Sequence, residues 1–138
     1  MKSKVTRPKK IEQPGIGCTQ FEVVNNEEYC GKVFIQRKGT KTPAHSHKEK
    51  HETFLVWSGN LKMVLDGEEL LLEPGSVLSV ERGSVHEFSA EDSDVVLFEF
   101  STTSSPQDSY FVDPVDWERV NDRSPETRDY EWPFQRGE

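Results

Sequence analysis

The sequence predicts an all-β domain, an antiparallel sandwich or barrel, followed by a short C-terminal helix and an irregular tail. Two observations carry this. Between residues 29 and 101 the chain is a series of short β-rich runs separated by turn dipeptides, with almost no helical periodicity. Its 138 residues suffice for one domain with a hydrophobic core.

The first strand is expected at 33–37, stopped by Lys38-Gly39. Residues 53–57 form the next, with Phe54 and Val56 facing inward and Thr53, Leu55 and Trp57 outward. Ser58-Gly59-Asn60 then reads as a hairpin signal, and Asp66-Gly67, after a strand at 61–65, as a second. Leu70-Leu71-Leu72 runs into Pro74-Gly75, 77–80 follows, and Arg82-Gly83 turns again before strands at 86–89 and 95–100. The helix is expected to start with Asp113 as N-cap, Pro114 at the first helical position and Asp116 at N3, and to reach about Val120. Residues 121–138 are acidic and irregular, but Trp132 and Phe134 imply that they pack on something.

Apolar residues gather between positions 33 and 112 and leave polar ends. The expected organisation is therefore an N-terminal arm at 1–20, a barrel at 21–113, and a helix with an acidic tail at 114–138. The basic start (Lys2, Lys4, Arg7, Lys9, Lys10) is read as a solvated, frayed terminus rather than a nucleic-acid arm. A net charge of −8 disfavours both nucleic acid and an anionic membrane as partners. No apolar run is long enough to span a bilayer, and the N-terminus lacks a signal-peptide pattern. Cys18 and Cys30 are then expected to be reduced thiols in a cytoplasmic protein. Neither has a neighbouring histidine or a CxxC partner, which argues against a catalytic thiol.

Three of the four histidines fall in one array with a glutamate: His45, His47, Glu52 and His86. Imidazole nitrogens with a carboxylate form a hard-to-borderline donor set suited to a divalent transition metal. His45 and His47, two apart, share a face if the segment is extended. Glu52 rejoins that face only if residues 48–50 bend. His51 should face away, and the Glu68-Glu69 pair after the second turn reads as solvated. Two further residues could move protons. Lys50 lies two before Glu52 and points into the cavity if the strand has begun, although a lysine in a bend is as readily exposed. Glu99 is an acid inside an apolar strand; facing inward, it would have its pKa raised by burial and serve as general acid or base, while on an edge strand it could face out.

Gly39, His45, His47, Glu52 and Gly59 resemble the first motif of the cupin superfamily at every fixed position. By ordinary residue frequencies a chance match is about one in ten thousand or rarer. The second motif is matched by Gly75, Gly83 and His86, with Glu81 where a proline is usual and Ala90 where an asparagine is usual. The resemblance implies the cupin double-stranded β-helix, a jelly-roll-like barrel with the metal inside, and commonly a homodimer.

A narrower resemblance, over roughly residues 29–114, is to the D-lyxose isomerase group. It rests on Tyr29-Cys30-Gly31-Lys32, Pro43-Ala44-His45-Ser46-His47, Lys50-His51-Glu52-Thr53-Phe54, Glu73-Pro74-Gly75 through His86-Glu87-Phe88, Glu99-Phe100-Ser101-Thr102-Thr103 and Asp108-Ser109-Tyr110-Phe111-Val112-Asp113-Pro114. It implies interconversion of an aldose and a ketose, typically with manganese, although iron, nickel, cobalt or zinc suits the same donors. His45, His47, Glu52 and His86 carry over as metal ligands, Lys50 as a lysine beside the substrate and Glu99 as an active-site acid. The expected partner is a small molecule, a sugar. Two other readings share the ligand set: a non-catalytic sugar- or metabolite-binding module, and an iron-dependent dioxygenase.

Overall fold

The computed structural model describes residues 4–134; Lys2 of the basic start and the last four residues of the acidic tail lie outside them. Twelve strands form two sheets facing each other. The first runs β1 (Lys9–Gln13), β2 (Cys18–Asn25), β3 (Cys30–Gln36), β11 (Val95–Ser101), β6 (Glu52–Ser58), β9 (Val77–Val80). The second runs β12 (Tyr110–Phe111), β5 (His45–Ser46), β10 (His86–Ala90), β7 (Leu61–Leu65), β8 (Glu68–Leu72), with β4 (Thr40–Lys41) also on β10. All strand pairs are antiparallel. Among the described residues the chain is all-β with one short α-helix, as its sequence predicts.

Alternation along the strands puts one set of side chains between the sheets. Phe54, Val56, Leu61, Met63, Phe88 and Leu97, each nearly inaccessible to solvent, form the main core there. Burying a side chain of this size contributes about 1.5–3 kcal/mol. This core fills one end of the barrel and leaves the other open.

Two turns that look alike in the sequence do different work. At Asp66-Gly67 both residues adopt positive φ and join β7 to β8 as a tight hairpin. Ser58-Gly59-Asn60 does not make a hairpin: β6 belongs to one sheet and β7 to the other, so this turn carries the chain between sheets. A Cβ at Gly59 would meet the Asp94 carbonyl oxygen, so only glycine allows the crossing so close to β11.

The N-terminal segment departs from the arm expected over 1–20. Lys9–Gln13 pairs in continuous register with Cys18–Glu22 of β2, and Ile11, Ile16, Cys18 and Thr19 are buried. The alternation was hidden because Gln13, Gln20 and Glu22 occupy inward positions, facing a cavity rather than a core.

The C-terminal segment is the second departure. The helix α1 spans Asp116–Asn121, starting later than the Asp113 cap would place it. Asp113 instead closes the preceding turn, its carboxylate accepting from the Val115 N–H at 3.1 Å and its carbonyl from the Asp116 N–H at 3.0 Å. The tail then follows β1. Ser124 and Glu12 exchange hydrogen bonds, Thr127 bridges to Lys10, and Tyr130, Trp132 and Phe134 surround Phe21 at 5.5–5.8 Å between ring centroids. Trp132 and Phe134 thus pack on the outer face of the first sheet.

Candidate metal centre

Four side chains from both sheets meet at the open end of the barrel. His45 on β5 lies directly opposite His86 on β10, His47 follows one residue beyond β5, and Glu52 opens β6 across the gap. The 48–50 bend that brings Glu52 back is held by Asp108. Its buried carboxylate accepts the backbone N–H groups of Lys48, Glu49 and Lys50 at 2.9–3.0 Å. Burial alone would raise the Asp108 pKa; those three donors outweigh it and hold the carboxyl below its ordinary value.

Each histidine uses Nδ1 on a backbone carbonyl: His45 on Pro43 at 2.7 Å, His47 on Asp108 at 2.9 Å, His86 on Ser84 at 3.1 Å. The carbonyl can only accept, so Nδ1 carries the proton and Nε2 keeps its lone pair. The three imidazoles offer ring nitrogens within 4.8 Å of one another. Glu52 Oε2 lies 3.0 Å from His86 Nε2 and 3.3 Å from His47 Nε2. Donors about 2.0–2.2 Å from one ion and at right angles around it sit about 3 Å apart, so this spacing fits a shared cation.

The electrostatics agree. Glu52 Oε2 and His86 Nε2 are fully buried without a hydrogen-bond partner. Two lone pairs facing each other at this distance are stable only with positive charge between them. Burial pushes His45 down to about 3, helped by the neighbouring His86, and lowers His47 as well. Burial would raise Glu52, but His86, Lys50 and His47 together hold it well below its ordinary value. A neutral His45 and His47 beside an ionised Glu52 are the protonation states a divalent metal needs.

Lys50 and Glu99, which sequence periodicity left open between inside and outside, both point inward and are buried. The Lys50 ammonium lies 3.3 Å from Glu52 Oε1 and 3.3 Å from both oxygens of Glu99, whose Oε2 also accepts from Ser101 Oγ at 3.0 Å. Burial would lower the Lys50 pKa, yet Glu99 and Glu52 outweigh it and raise it, so Lys50 stays charged. Glu99 therefore sits against an ammonium, not in the apolar isolation that its strand suggests. His51 turns away to lie 3.6 Å from Glu81. The cavity these groups line measures about 320 Å³ and extends from the histidines along the inner faces of β1, β2 and β3 to α1.

Residues 32–102 match the cupin domain. The chain is a cupin. The cupin fold of this chain aligns with that of an RmlC-like cupin from Shewanella frigidimarina at a TM-score of 0.65, with 19% identity over 72% of this chain and 87% of the other, a likeness of fold. In sequence this cupin is 27% identical over 118 residues to a D-lyxose/D-mannose isomerase from Thermosediminibacter oceani, covering 66% of this chain and 65% of the relative. It is 31% identical over 87 residues to a D-lyxose ketol-isomerase from a Thermofilum species, covering 61% and 43%. The chain thus spans less than two thirds of the length of these two relatives. Among its described residues no helix is long and apolar enough to cross a membrane.

Asp108 is the site residue that sequence reading assigned no role. In the sequence it stands only as the first residue of the last segment of the narrower resemblance, and the fold seats its carboxylate under the bend.

Proposed function

We propose that this cupin is a metal-dependent aldose–ketose isomerase, with His45, His47, Glu52 and His86 as ligands and manganese as the ion. The observation that carries the reading is the buried Lys50–Glu99 pair beside Glu52. Burying an ion pair commonly costs more in desolvation than it returns, so its retention against the ligand carboxylate favours a role in proton transfer. The isomerase names of the two sequence relatives support the same class.

When bound, a divalent cation polarises the sugar carbonyl and stabilises charge developing on oxygen. The chain's own groups do the rest. Glu99, ionised, takes the proton from C2 of the open-chain aldose and returns it to C1 through an enediol. Lys50 gives a proton to O1 and receives one from O2, ending as it began. Glu52 and Ser101 hold Lys50 and Glu99 in position during both transfers, and the apolar rings of Phe54 and Phe88 that line the cavity disfavour bulk water beside the reacting carbons. A second copy docks on the outer face of the first sheet, where Trp57 stacks on Phe98 at 5.5 Å beside exposed Phe100; sedimentation velocity reads that state directly.

The deciding experiment incubates the manganese-loaded protein with lyxose and mannose in deuterated water. The expected result is the corresponding ketose, carrying solvent deuterium at C1 in proportion to how far the proton held by Glu99 exchanges before it is returned. Sugar-dependent thermal stabilisation with no ketose and no deuterium would make the protein a binding module instead.

A further inference from the structure

We propose that the end of the cavity remote from the histidines is an anion subsite centred on Lys32, and that the sugar taken here carries a carboxylate or phosphate ester at the end away from its carbonyl. This rests on the isomerase reading for the word sugar, but the subsite is argued from the cavity itself.

Lys32 stands in one row across the inner face of the first sheet: Glu22 on β2, Lys32 on β3, Glu99 on β11, Phe54 on β6. Residues directly opposite in adjacent strands share a face, so Lys32 faces the same space as Glu99. Strands lie about 4.8 Å apart, which places Lys32 two strands, about 10 Å, from the strand bearing Glu52. With the lysine side chain reaching back, that gap suits an extended five- or six-carbon chain whose other end is held by the ligand cluster.

The ammonium is posed and left short of partners. Among the described residues it makes one hydrogen bond, to Ser104 Oγ at 3.2 Å, and no ion pair. Ser104 is clamped by the Asn25 amide, which donates to its carbonyl and accepts from its N–H, both at 3.0 Å. The acids that line the same cavity are already engaged. Glu22 and Glu126 each lie 3.8 Å from Lys9, and Glu99 lies against Lys50. A half-buried cation with two free N–H donors, set in place by a neutral hydroxyl, is built to meet an anion from outside. One row along, the buried Gln20 turns an amide with no partner among the described residues into the cavity, suited to a sugar hydroxyl. Arg123 of the tail lines the same cavity from the β1 side.

The test is isothermal titration of the manganese-loaded protein with sorbitol 6-phosphate against sorbitol, and with D-glucuronate against its uncharged amide. The two pairs separate a phosphate from a carboxylate. At least one anionic probe is expected to bind about tenfold or more tightly than its neutral partner, an advantage lost in Lys32→Gln and kept in Lys32→Arg. Equal affinities within both pairs in the wild-type protein would overturn the proposal without any variant, and so would a preference that survives Lys32→Gln. Turnover is read separately: anion preference without ketose formation removes the isomerase and leaves the subsite standing.

Discussion

Asp108 holds His47 from behind while holding the bend in front of it: its carbonyl takes the His47 Nδ1–H at 2.9 Å, and its carboxylate takes three successive amides of residues 48–50. One residue from a distant loop thus sets the tautomer of one proposed ligand and the path of the chain to the next.

Asp108→Ala should therefore weaken the centre without touching a ligand. Leaving buried amides without an acceptor costs about 2–3 kcal/mol of stability, read by urea denaturation of the metal-free protein. Manganese affinity should drop about tenfold or more, as for other supports behind a ligand. Asp108→Asn, which keeps one acceptor oxygen, should fall between. A variant with wild-type metal affinity would show that the bend needs no cap.

Glu99→Gln keeps the volume and removes the base. Isomerisation should drop by a factor of about 10² to 10⁴, while manganese content stays at the wild-type level because Glu99 is not among the proposed ligands. Elemental analysis beside the sugar assay separates the two effects; full activity in this variant would displace Glu99 from its role.

The metal-free protein should lose stability on acidification before its carboxylates titrate. Burial places His45 at about 3, far below its ordinary 6.5, and lowers His47 too. The unfolded chain then binds protons at these sites that the folded one refuses, so stability is complete above about pH 6.5 and declines as pH falls toward the folded values. Asp108 and Glu52, whose folded pKa values are depressed, add to the loss only at lower pH, below the ordinary carboxylate values. Thermal melts from pH 7.5 to 4.5 should show the midpoint falling from about pH 6.5, with a shallower fall in His45→Gln. A flat profile would mean that these imidazoles ionise freely in the fold.

Phe21→Ala removes the ring on which Tyr130, Trp132 and Phe134 converge. A large-to-small change at a buried phenylalanine costs about 3–5 kcal/mol. Here it should also free the tail that lies along β1, seen as faster protease cleavage after Arg123 or Arg128. Unchanged cleavage would place the tail's anchorage in its hydrogen bonds to Glu12 and Lys10.

The chain's own pattern was enough to determine that strands and tight turns would build two antiparallel sheets, because period-two alternation and Asp-Gly or Gly turns act over a few residues. It was also enough to group His45, His47 and Glu52, whose spacing is local, while His86, on a separate strand, joined them in the sequence only through the family resemblance and in the molecule through the pairing of β10 with β5. Three things were decided only in the folded molecule. Lys9–Gln13 became a cavity wall, since polar inward residues erase the alternation that marks a strand. Lys50 and Glu99, 49 positions apart, met through the β6–β11 pairing, and Asp108 found the 48–50 bend, through contacts that no short-range pattern encodes. Ser58-Gly59-Asn60 crossed between sheets instead of folding back, because partner choice depends on which distant strand, β11 or β10, is there to pair.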